Sequence, residues 1–234
     1  MSVRIDALVV ALPAHDEAAG LPAALRSVHR ALRHPGLAPS VLVVAADACT
    51  DATAAVAARL GADVVEVGHR MAGAARAAAV RQGLARCGAR PEATWIATTD
   101  ADCGVPPEWL AHQLHRAREG WECVVGTVRI APFPPLAASV RALHDAHYFA
   151  GRDGPGWVHP HVHGANLGVR ADTYLRAGGF PAVPHGEDRA LVAALPAGAR
   201  VLRTDACPVA TSGRTAPRAP HGFGAFLRSL GEPA

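Results

Sequence analysis

The chain of 234 residues contains no lysine, so all 23 of its basic residues are arginines. It therefore has no glycine-rich phosphate loop with a lysine after its first apolar run, which argues against a nucleotidyltransferase. No G-x-G-x-x-G sequence stands there either, which argues against a dehydrogenase. The formal net charge of +3 is small and scattered along the chain, so the sequence does not indicate a nucleic-acid-binding protein.

Cysteine pairs and long hydrophobic runs are missing as well. The five cysteines include no C-x-x-C pair, which argues against a disulfide framework and against a structural zinc site. The opening apolar run stops at Pro13 and is too short for a signal peptide or a membrane span. We therefore expect a cytoplasmic protein without a membrane span, although peripheral association with a membrane stays open.

The composition that remains is that of a folded globular protein. Half of the residues are apolar and 18% are charged. The length suits one α/β domain with a substantial core. Because the sequence contains no internal repeat and no low-complexity linker, we predict that residues 1–234 form a single domain.

The hydrophobic pattern alternates between strands and helices. Helical patterns separate most of the apolar runs, so we expect an α/β fold with an open, mostly parallel sheet and helices on both faces. Residues 164–169 and two short edge segments, 201–202 and 208–210, also have strand character. The main predicted strands are 5–12, 41–46, 62–67, 93–98 and 123–130.

Three of the predicted strands end in acidic turns. The first is followed by Asp16 and Glu17, the second by Asp47, and the fourth by Asp100 and Asp102. Carboxyl ends of parallel strands meet at one edge of a sheet, where ligands bind in open α/β folds. Hard divalent cations such as Mg²⁺ prefer carboxylate oxygens together with substrate phosphates. The D-x-D pair therefore suggests a metal–diphosphate site, while a lone pair of this kind is also common as a solvated turn.

Histidines are concentrated in one part of the chain. Six of the 13 fall between His144 and His185, and His159, His161 and His163 alternate so that an extended segment would place them on one face. Such a set could hold a metal ion. Because no carboxylate or cysteine completes a tetrahedral set nearby, we favour polar groups that line a ligand cleft or its lid.

Taken together, four motifs resemble those of the GT-A-fold glycosyltransferases of family 2. Residues 9–17 (VVALPAHDE) are similar to the family's opening strand and turn, and residues 43–53 (VVAADACTDAT) to its D-D-x-S-x-D-x-T block. Residues 99–102 (TDAD) match its D-x-D motif. The segments GAN at 164–166, GGF at 178–180 and GED at 186–188 match its last block. The resemblance covers residues 5 to about 190 and implies a GT-A-type, Rossmann-like open sheet.

The resemblance also implies an activity and a division of the chain. The activity is metal-dependent transfer of a sugar from a nucleotide-diphosphate sugar to an acceptor hydroxyl, with inversion. Residues 1–130 would bind the donor, residues 131–210 would serve the acceptor and catalysis, and residues 211–234 would form a C-terminal tail. Processive synthases of the family carry Q-x-x-R-W and membrane helices, and neither is present.

Individual residues take roles by the same resemblance. Asp188 would be the general base, with Glu187 as the alternative, and Gly164 and Asn166 would contact the acceptor. Asp102 and Asp100 would hold Mg²⁺ or Mn²⁺, joined from the tail by His221. The donor contacts would come from Pro13, Ala14, His15, Glu17, Asp47, Arg76, Asp100, Ala101, Asp102, Arg214 and Arg218.

Two positions depart from the family pattern. Asp16 stands where the family usually has Asn, and Ala46 replaces the first acid of its paired aspartates. These departures keep two alternatives open: a retaining transferase on the same fold, and a non-catalytic protein that binds nucleotide sugars or acts as a scaffold. The intact Asp100, Asp102 and Asp188 favour the enzyme.

Overall fold

A computed structural model describes residues 3–132, 135–152, 154, 156–215 and 223–231. Its seven strands form one sheet in the order β3-β2-β1-β4-β6-β5-β7. The open, mostly parallel α/β sheet predicted from the sequence is therefore confirmed. The strands are β1 (Ala7–Ala14), β2 (Ser40–Asp47), β3 (Asp63–Val67), β4 (Thr94–Thr98), β5 (Cys123–Ile130), β6 (Leu167–Arg170) and β7 (Val201–Thr211).

Helices cover both faces of this sheet. The side chains of β1 alternate: Leu8 and Val10 belong to one apolar cluster, and Val9 and Ala11 belong to the other. The first cluster is closed by α1 and α4 and the second by α3. The helices are α1 (Leu21–Leu32), α2 (Thr53–Arg59), α3 (Ala72–Cys87), α4 (Trp109–Arg118), α5 (Ala138–Tyr148), α6 (Ala171–Arg176), α7 (Glu187–Ala193) and α8 (Phe223–Gly231).

The register brings the acidic turns to one edge. Strand β1 pairs in parallel with β2 on one side and with β4 on the other. Each of these three strands runs directly into one of the predicted acidic segments, so the carboxyl ends meet as expected. The sheet thereby gathers side chains that are more than 80 residues apart in the sequence.

Three details differ from the sequence-based expectation. Residues Gly164–Asn166 form a 3-10 turn, and the strand begins only at Leu167. That strand, β6, is antiparallel to both of its neighbours, β4 and β5. The two predicted edge segments are one continuous strand, β7, which pairs in parallel with β5 through a register shift between Gly126 and Val128. The polar residues of β7 near this shift interrupt the apolar pattern, which is why the sequence suggested two segments.

Candidate active site

The turn after β4 carries the D-x-D carboxylates. An oxygen of Asp100 lies 2.6 Å from a guanidinium nitrogen of Arg76, and an oxygen of Asp102 lies 3.1 Å from one of Arg214. Asp100, Asp102 and Cys103 each offer a ligand atom, and these atoms all lie within 4.8 Å of one another. The two carboxylates therefore converge closely enough to share a cation.

Crowding of negative groups affects how these carboxyls ionise. Burial raises the pKa of Asp102 to about 6, the charge of Asp100 adds to this increase, and Arg214 opposes it. Burial also raises the pKa of Asp100, against the lowering effect of Arg76. A divalent cation would relieve this repulsion, and carboxylate oxygens are the ligands that Mg²⁺ and Mn²⁺ prefer. Burial raises the pKa of the Cys103 thiol well above its usual value, so that the sulfur stays protonated and is a poor ligand.

Arg76 lies beneath this turn, on α3, and is only 2% exposed. Its guanidinium pairs with Asp100 through one terminal nitrogen and with Glu187 through the other. Burial by itself would lower the pKa of Arg76, but the charges of Asp100 and Glu187 raise it, so the guanidinium is firmly cationic. Arg76, a predicted donor contact, is therefore buried behind Asp100 and would act on a donor through that carboxylate.

Asp188 follows Glu187 at the start of α7. One of its oxygens accepts a hydrogen bond of 2.9 Å from the backbone N–H of Gly164. The other accepts a hydrogen bond of 2.7 Å from the backbone N–H of Arg189. The Gly164 carbonyl in turn accepts a hydrogen bond of 2.6 Å from the Thr98 hydroxyl at the end of β4. The predicted base is therefore linked through the 3-10 turn to the strand that carries the D-x-D pair.

The turn after β1 is fixed by contacts with the turn after β2. Asp16 has a left-handed backbone (φ 49°), which Asp and Asn adopt more readily than other non-glycine residues. Its carboxylate accepts backbone N–H groups of Thr50 (2.7 Å) and Asp51 (3.2 Å). The ring Nδ1 of His15 donates to the Asp47 carbonyl at 2.7 Å. The departure from Asn at position 16 thus retains a residue that suits this conformation.

Asp47 is almost fully buried, at 3% exposure. Its carboxylate accepts three backbone N–H groups, from His69, Arg70 and Met71, at 2.7 to 2.9 Å. The carboxylate therefore organises the loop between β3 and α3. Its predicted contact with the base or ribose stays a prediction, as do those of Pro13, Ala14 and Ala101.

Arg214 joins the C-terminal segment to the acidic edge. One terminal nitrogen lies 3.1 Å from an oxygen of Glu17 and 3.1 Å from an oxygen of Asp102. A cation thus already lies between the first turn and the D-x-D turn. Arg218 and His221, the other predicted tail contacts, lie outside the described residues.

Asn166, a predicted acceptor contact, is 3% exposed. Its amide nitrogen donates to the carbonyls of Thr127 and Cys207, both at 2.9 Å, and its oxygen accepts the Trp109 indole N–H at 2.9 Å. Both amide hydrogens are thereby used inside the protein. Asn166 joins α4, β5 and β7 behind the site, and its contact with an acceptor stays a prediction.

The alternating histidines form a stack of rings. The rings of His159, His161 and His163 follow one another at 6.0 Å between centroids, and Tyr148 stacks on His161 at 3.9 Å. Their ring nitrogens contact the Val125 carbonyl, the Tyr148 carbonyl and the Tyr148 hydroxyl, respectively. One nitrogen of each ring is thus used in a hydrogen bond, and among the described residues the three histidines do not form a group of converging metal-ligand atoms. This arrangement favours the polar lining over the metal site.

Sequence reasoning missed two features of the site. The first is the pairing of Arg76 with both acidic motifs; the only sign of it in the sequence is an arginine within an otherwise apolar stretch of α3. The second is a group formed by His15, Asp16 and Cys49, whose ligand atoms lie within 4.8 Å of one another. Cys49 lies in the turn after β2, and His15 and Asp16 lie in the turn after β1. Their proximity therefore depends on how β1 and β2 pair in the sheet.

Across the described part of the chain, each helix is too short or too polar to traverse a bilayer. The expectation of no membrane-spanning helix is met in these residues. The cytoplasmic location stays a prediction.

Similarity to solved structures supports the fold. S. aureus TarS 1–349, solved with UDP-GlcNAc, is 13% identical over 92% of this chain and 61% of that one, with a TM-score of 0.66. The mannosyltransferase PcManGT from Pyrobaculum calidifontis, solved with GDP-Man and Mn²⁺, is 18% identical over 97% and 61%, with a TM-score of 0.63. Glucosyl-3-phosphoglycerate synthase from Mycobacterium tuberculosis, solved with Mn²⁺, UDP and glucosyl-3-phosphoglycerate, is 18% identical over 99% and 81%, with a TM-score of 0.55.

The chain spans about three fifths of the TarS and PcManGT structures. Comparison with curated protein sequences gives no match. The family model for glycosyl transferase family 2 matches residues 9–175, which is most of the chain and includes the D-x-D turn. The sequence motifs, the sheet topology and this match agree: the chain belongs to glycosyl transferase family 2 and has a GT-A-like fold.

Proposed function

We propose that the protein transfers a sugar from a nucleotide-diphosphate sugar to an acceptor hydroxyl, with a divalent metal ion and with inversion at the anomeric carbon. The observation that carries this proposal is the convergence of Asp100 and Asp102 at the carboxyl edge of the sheet, next to the turn that holds Asp188. This geometry supports a cation-binding pair and a carboxylate base close to each other at this edge of the sheet.

The donor would lie across the ends of β1, β2 and β4. Two of the similar proteins were crystallised with UDP-GlcNAc and with GDP-Man, which supports a nucleotide-diphosphate sugar as the donor class. His15 and Glu17 would contact the nucleoside, and Asp47 would act through the loop that its carboxylate holds. Arg214 would contact the diphosphate, because a planar guanidinium suits phosphate oxygens.

Asp100 and Asp102 would hold the Mg²⁺ or Mn²⁺ ion. Their oxygen ligands and their raised pKa values fit a hard cation, and PcManGT was crystallised with Mn²⁺. The ion, when bound, supplies positive charge that stabilises the departing diphosphate. His221 remains a predicted further ligand.

Asp188 would act as the general base. Its carboxylate takes the proton from the acceptor hydroxyl while that oxygen bonds to the anomeric carbon of the sugar. The bond from this carbon to the diphosphate oxygen breaks, and the nucleoside diphosphate leaves with the electron pair. Asp188 then releases its proton to solvent. The backbone N–H groups of Gly164 and Arg189 hold the carboxylate, so it is oriented before the acceptor arrives.

The experiment that tests this function needs no knowledge of the acceptor. The wild-type protein is screened by thermal shift against UDP- and GDP-sugars, including UDP-GlcNAc and GDP-mannose, with and without Mn²⁺. Any donor that raises the melting temperature is then assayed for release of nucleoside diphosphate, first with water and then with a panel of hydroxyl acceptors. We expect Mn²⁺-dependent stabilisation by one nucleotide class and slow release in water.

Two results would point elsewhere. A donor that binds but never releases nucleoside diphosphate, with any acceptor, would favour the non-catalytic nucleotide-sugar-binding protein. Release that gives a product with the original anomeric configuration would favour a retaining transferase.

A further inference from the structure

The buried guanidinium of Arg76 contacts several of the family motifs at once. It pairs with Asp100 of the D-x-D turn at 2.6 Å and with Glu187 of the GED segment. Its carbon Cζ lies 5.3 Å from the centroid of the Phe180 ring, in the GGF segment. A methyl group built on Gly164 of the GAN segment would come within 2.5 Å of the same carbon. One side chain therefore fills the space between the D-x-D turn and the three segments of the last block.

The packing around Arg76 leaves little freedom. The side chain of Arg76 is 3% exposed and that of Glu187 is 11% exposed. Glu187 packs in turn on Gly73 of the same helix as Arg76, where a built methyl group would lie 2.7 Å from the Glu187 Cβ. Helix α7, which begins with Glu187 and Asp188, is thus set against α3 by an ion pair and by close backbone contact. A displacement of Arg76 would therefore move both the D-x-D turn and the start of α7.

Two routes connect Arg76 to the carboxylate of Asp188. The first runs through Glu187, the preceding residue, which Arg76 holds by its charge. The second runs through Gly164, whose missing side chain makes room for the guanidinium and whose N–H donates to Asp188 at 2.9 Å. A guanidinium can hold both carboxylates in one plane, which a lysine ammonium cannot do.

We propose that Arg76 is a positioning residue of the transfer reaction: it fixes the D-x-D turn and the base Asp188 relative to each other without touching the substrate. The inference rests on the proposed function, because it assigns Asp188 as the base. It also makes a prediction of its own about the Gly164–Asp188 hydrogen bond, which can be measured without turnover.

The test compares Arg76→Lys with Arg81→Lys. Arg81 is an exposed residue of the same helix, outside the proposed site, and its variant controls for the loss of a guanidinium on α3. Three quantities are measured: the dissociation constant of UDP or GDP with Mn²⁺, the rate of nucleoside diphosphate release, and the amide proton shift of Gly164 in a ¹H–¹⁵N spectrum.

For Arg76→Lys we expect nucleotide affinity within about threefold of wild type and a kcat lowered by about 10- to 100-fold, as for misplacement of a catalytic group. The Gly164 amide proton should move upfield, because its bond to Asp188 weakens. Arg81→Lys should match wild type in all three measurements. If Arg76→Lys fails to fold, Glu187→Gln takes its place; it removes one charge of the buried network but keeps the side-chain size, and the same changes are expected at smaller size.

A wild-type Gly164 shift and wild-type turnover in a folded Arg76→Lys or Glu187→Gln variant would overturn the inference. A loss of nucleotide affinity equal to the loss of kcat would also overturn it, because Arg76 would then serve donor binding. If wild type turns over no donor while the Gly164 shift changes only in the Arg76 and Glu187 variants, the proposed function fails and the positioning contact stands.

Discussion

Two regions of this protein, the acidic edge at the ends of β1, β2 and β4 and the segment 138–163, hold their polar groups in different ways. At the ends of β1 and β2, Asp16 and Asp47 are held by backbone N–H groups of neighbouring turns, and the D-x-D carboxylates remain ionisable next to arginines. In residues 138–163, the rings of His144, His161 and His163 stack on Tyr148. Burial lowers the pKa of His163 to about 3, so its ring is neutral near neutral pH. The acidic edge is thus organised around charge, and the ring stack of residues 138–163 around uncharged rings.

From this difference we infer what each of the two regions is suited to bind. A diphosphate and a divalent cation need charges whose positions are fixed before binding. A neutral hydroxyl-bearing acceptor is better served by apolar ring faces and single hydrogen bonds. Asp188, the proposed base, is linked to the acidic edge by two routes. Its neighbour Glu187 pairs with Arg76, and its own carboxylate accepts the N–H of Gly164, whose carbonyl is bound to Thr98.

The largest expected effect on transfer is that of replacing Asp188. Asp188→Asn should keep nucleotide affinity nearly unchanged and lower the rate of transfer by about 10²- to 10⁴-fold, since the amide cannot take the acceptor proton. The measurement is nucleoside diphosphate release, with the dissociation constant determined separately. Asp6→Asn, an exposed change far from the edge, is the control. Equal turnover in Asp188→Asn and wild type would show that the base is another group.

The next largest effect is expected at the acidic edge, for nucleotide binding. Asp102→Asn keeps the size of the side chain but removes an anionic ligand, so the Mn²⁺-dependent affinity for UDP or GDP should fall by about 10- to 100-fold or more. Calorimetry in Mn²⁺ and in EDTA measures this, and Asp63→Asn on β3 is the matched control. A variant that binds nucleotide as tightly as wild type, with the same response to Mn²⁺, would contradict the metal assignment.

The sequence predicts the parts of the site that depend on strand order, and not those that depend on contacts between distant residues. The D-x-D edge was predictable because each carboxylate directly follows an apolar run, and parallel strands bring such ends together. The partners of Arg76 were not predictable, because Asp100 and Glu187 lie 24 and 111 residues away from it. Residues 164–166 are small and run into the apolar residues of β6, so the sequence suggested that the strand begins there. The 3-10 turn depends on contacts with Thr98 and Asp188.

A third prediction concerns the neutral rings. The Tyr148 hydroxyl accepts the Val128 N–H, and its own hydrogen is available to Nε2 of His163, whose pKa is lowered by burial. The pKa of His163 lies below its unfolded value, so the unfolded chain binds the extra proton and stability falls as the pH drops from about 6.5 toward 3. The contribution approaches about 1.4 kcal/mol per pH unit.

Urea denaturation between pH 7.5 and 5 measures this effect. In His163→Phe the free energy of unfolding should depend less on pH than in wild type, because the group that titrates is gone. Identical pH slopes for the two proteins would mean that His163 is protonated in the folded state as readily as in the unfolded chain.

The smallest expected effect concerns Arg214, which reaches from the C-terminal segment to the acidic edge. Arg214→Gln removes the cation between Glu17 and Asp102, so Mn²⁺ alone should bind slightly more tightly while UDP or GDP with Mn²⁺ binds about two- to fivefold more weakly. The size reflects the partial exposure of this ion pair. Arg129→Gln, on an exposed position of β5, is the control. Unchanged nucleotide affinity would exclude a diphosphate contact.

The central claim, that the acidic edge is a metal-dependent nucleotide-sugar site, is tested most directly by titrating UDP and GDP into the wild-type protein with and without Mn²⁺. Calorimetry should show saturable binding of one of the two nucleotides, at least tenfold tighter with Mn²⁺ than with EDTA. Absence of binding for both nucleotides, or binding that is equally strong in EDTA, would contradict the claim.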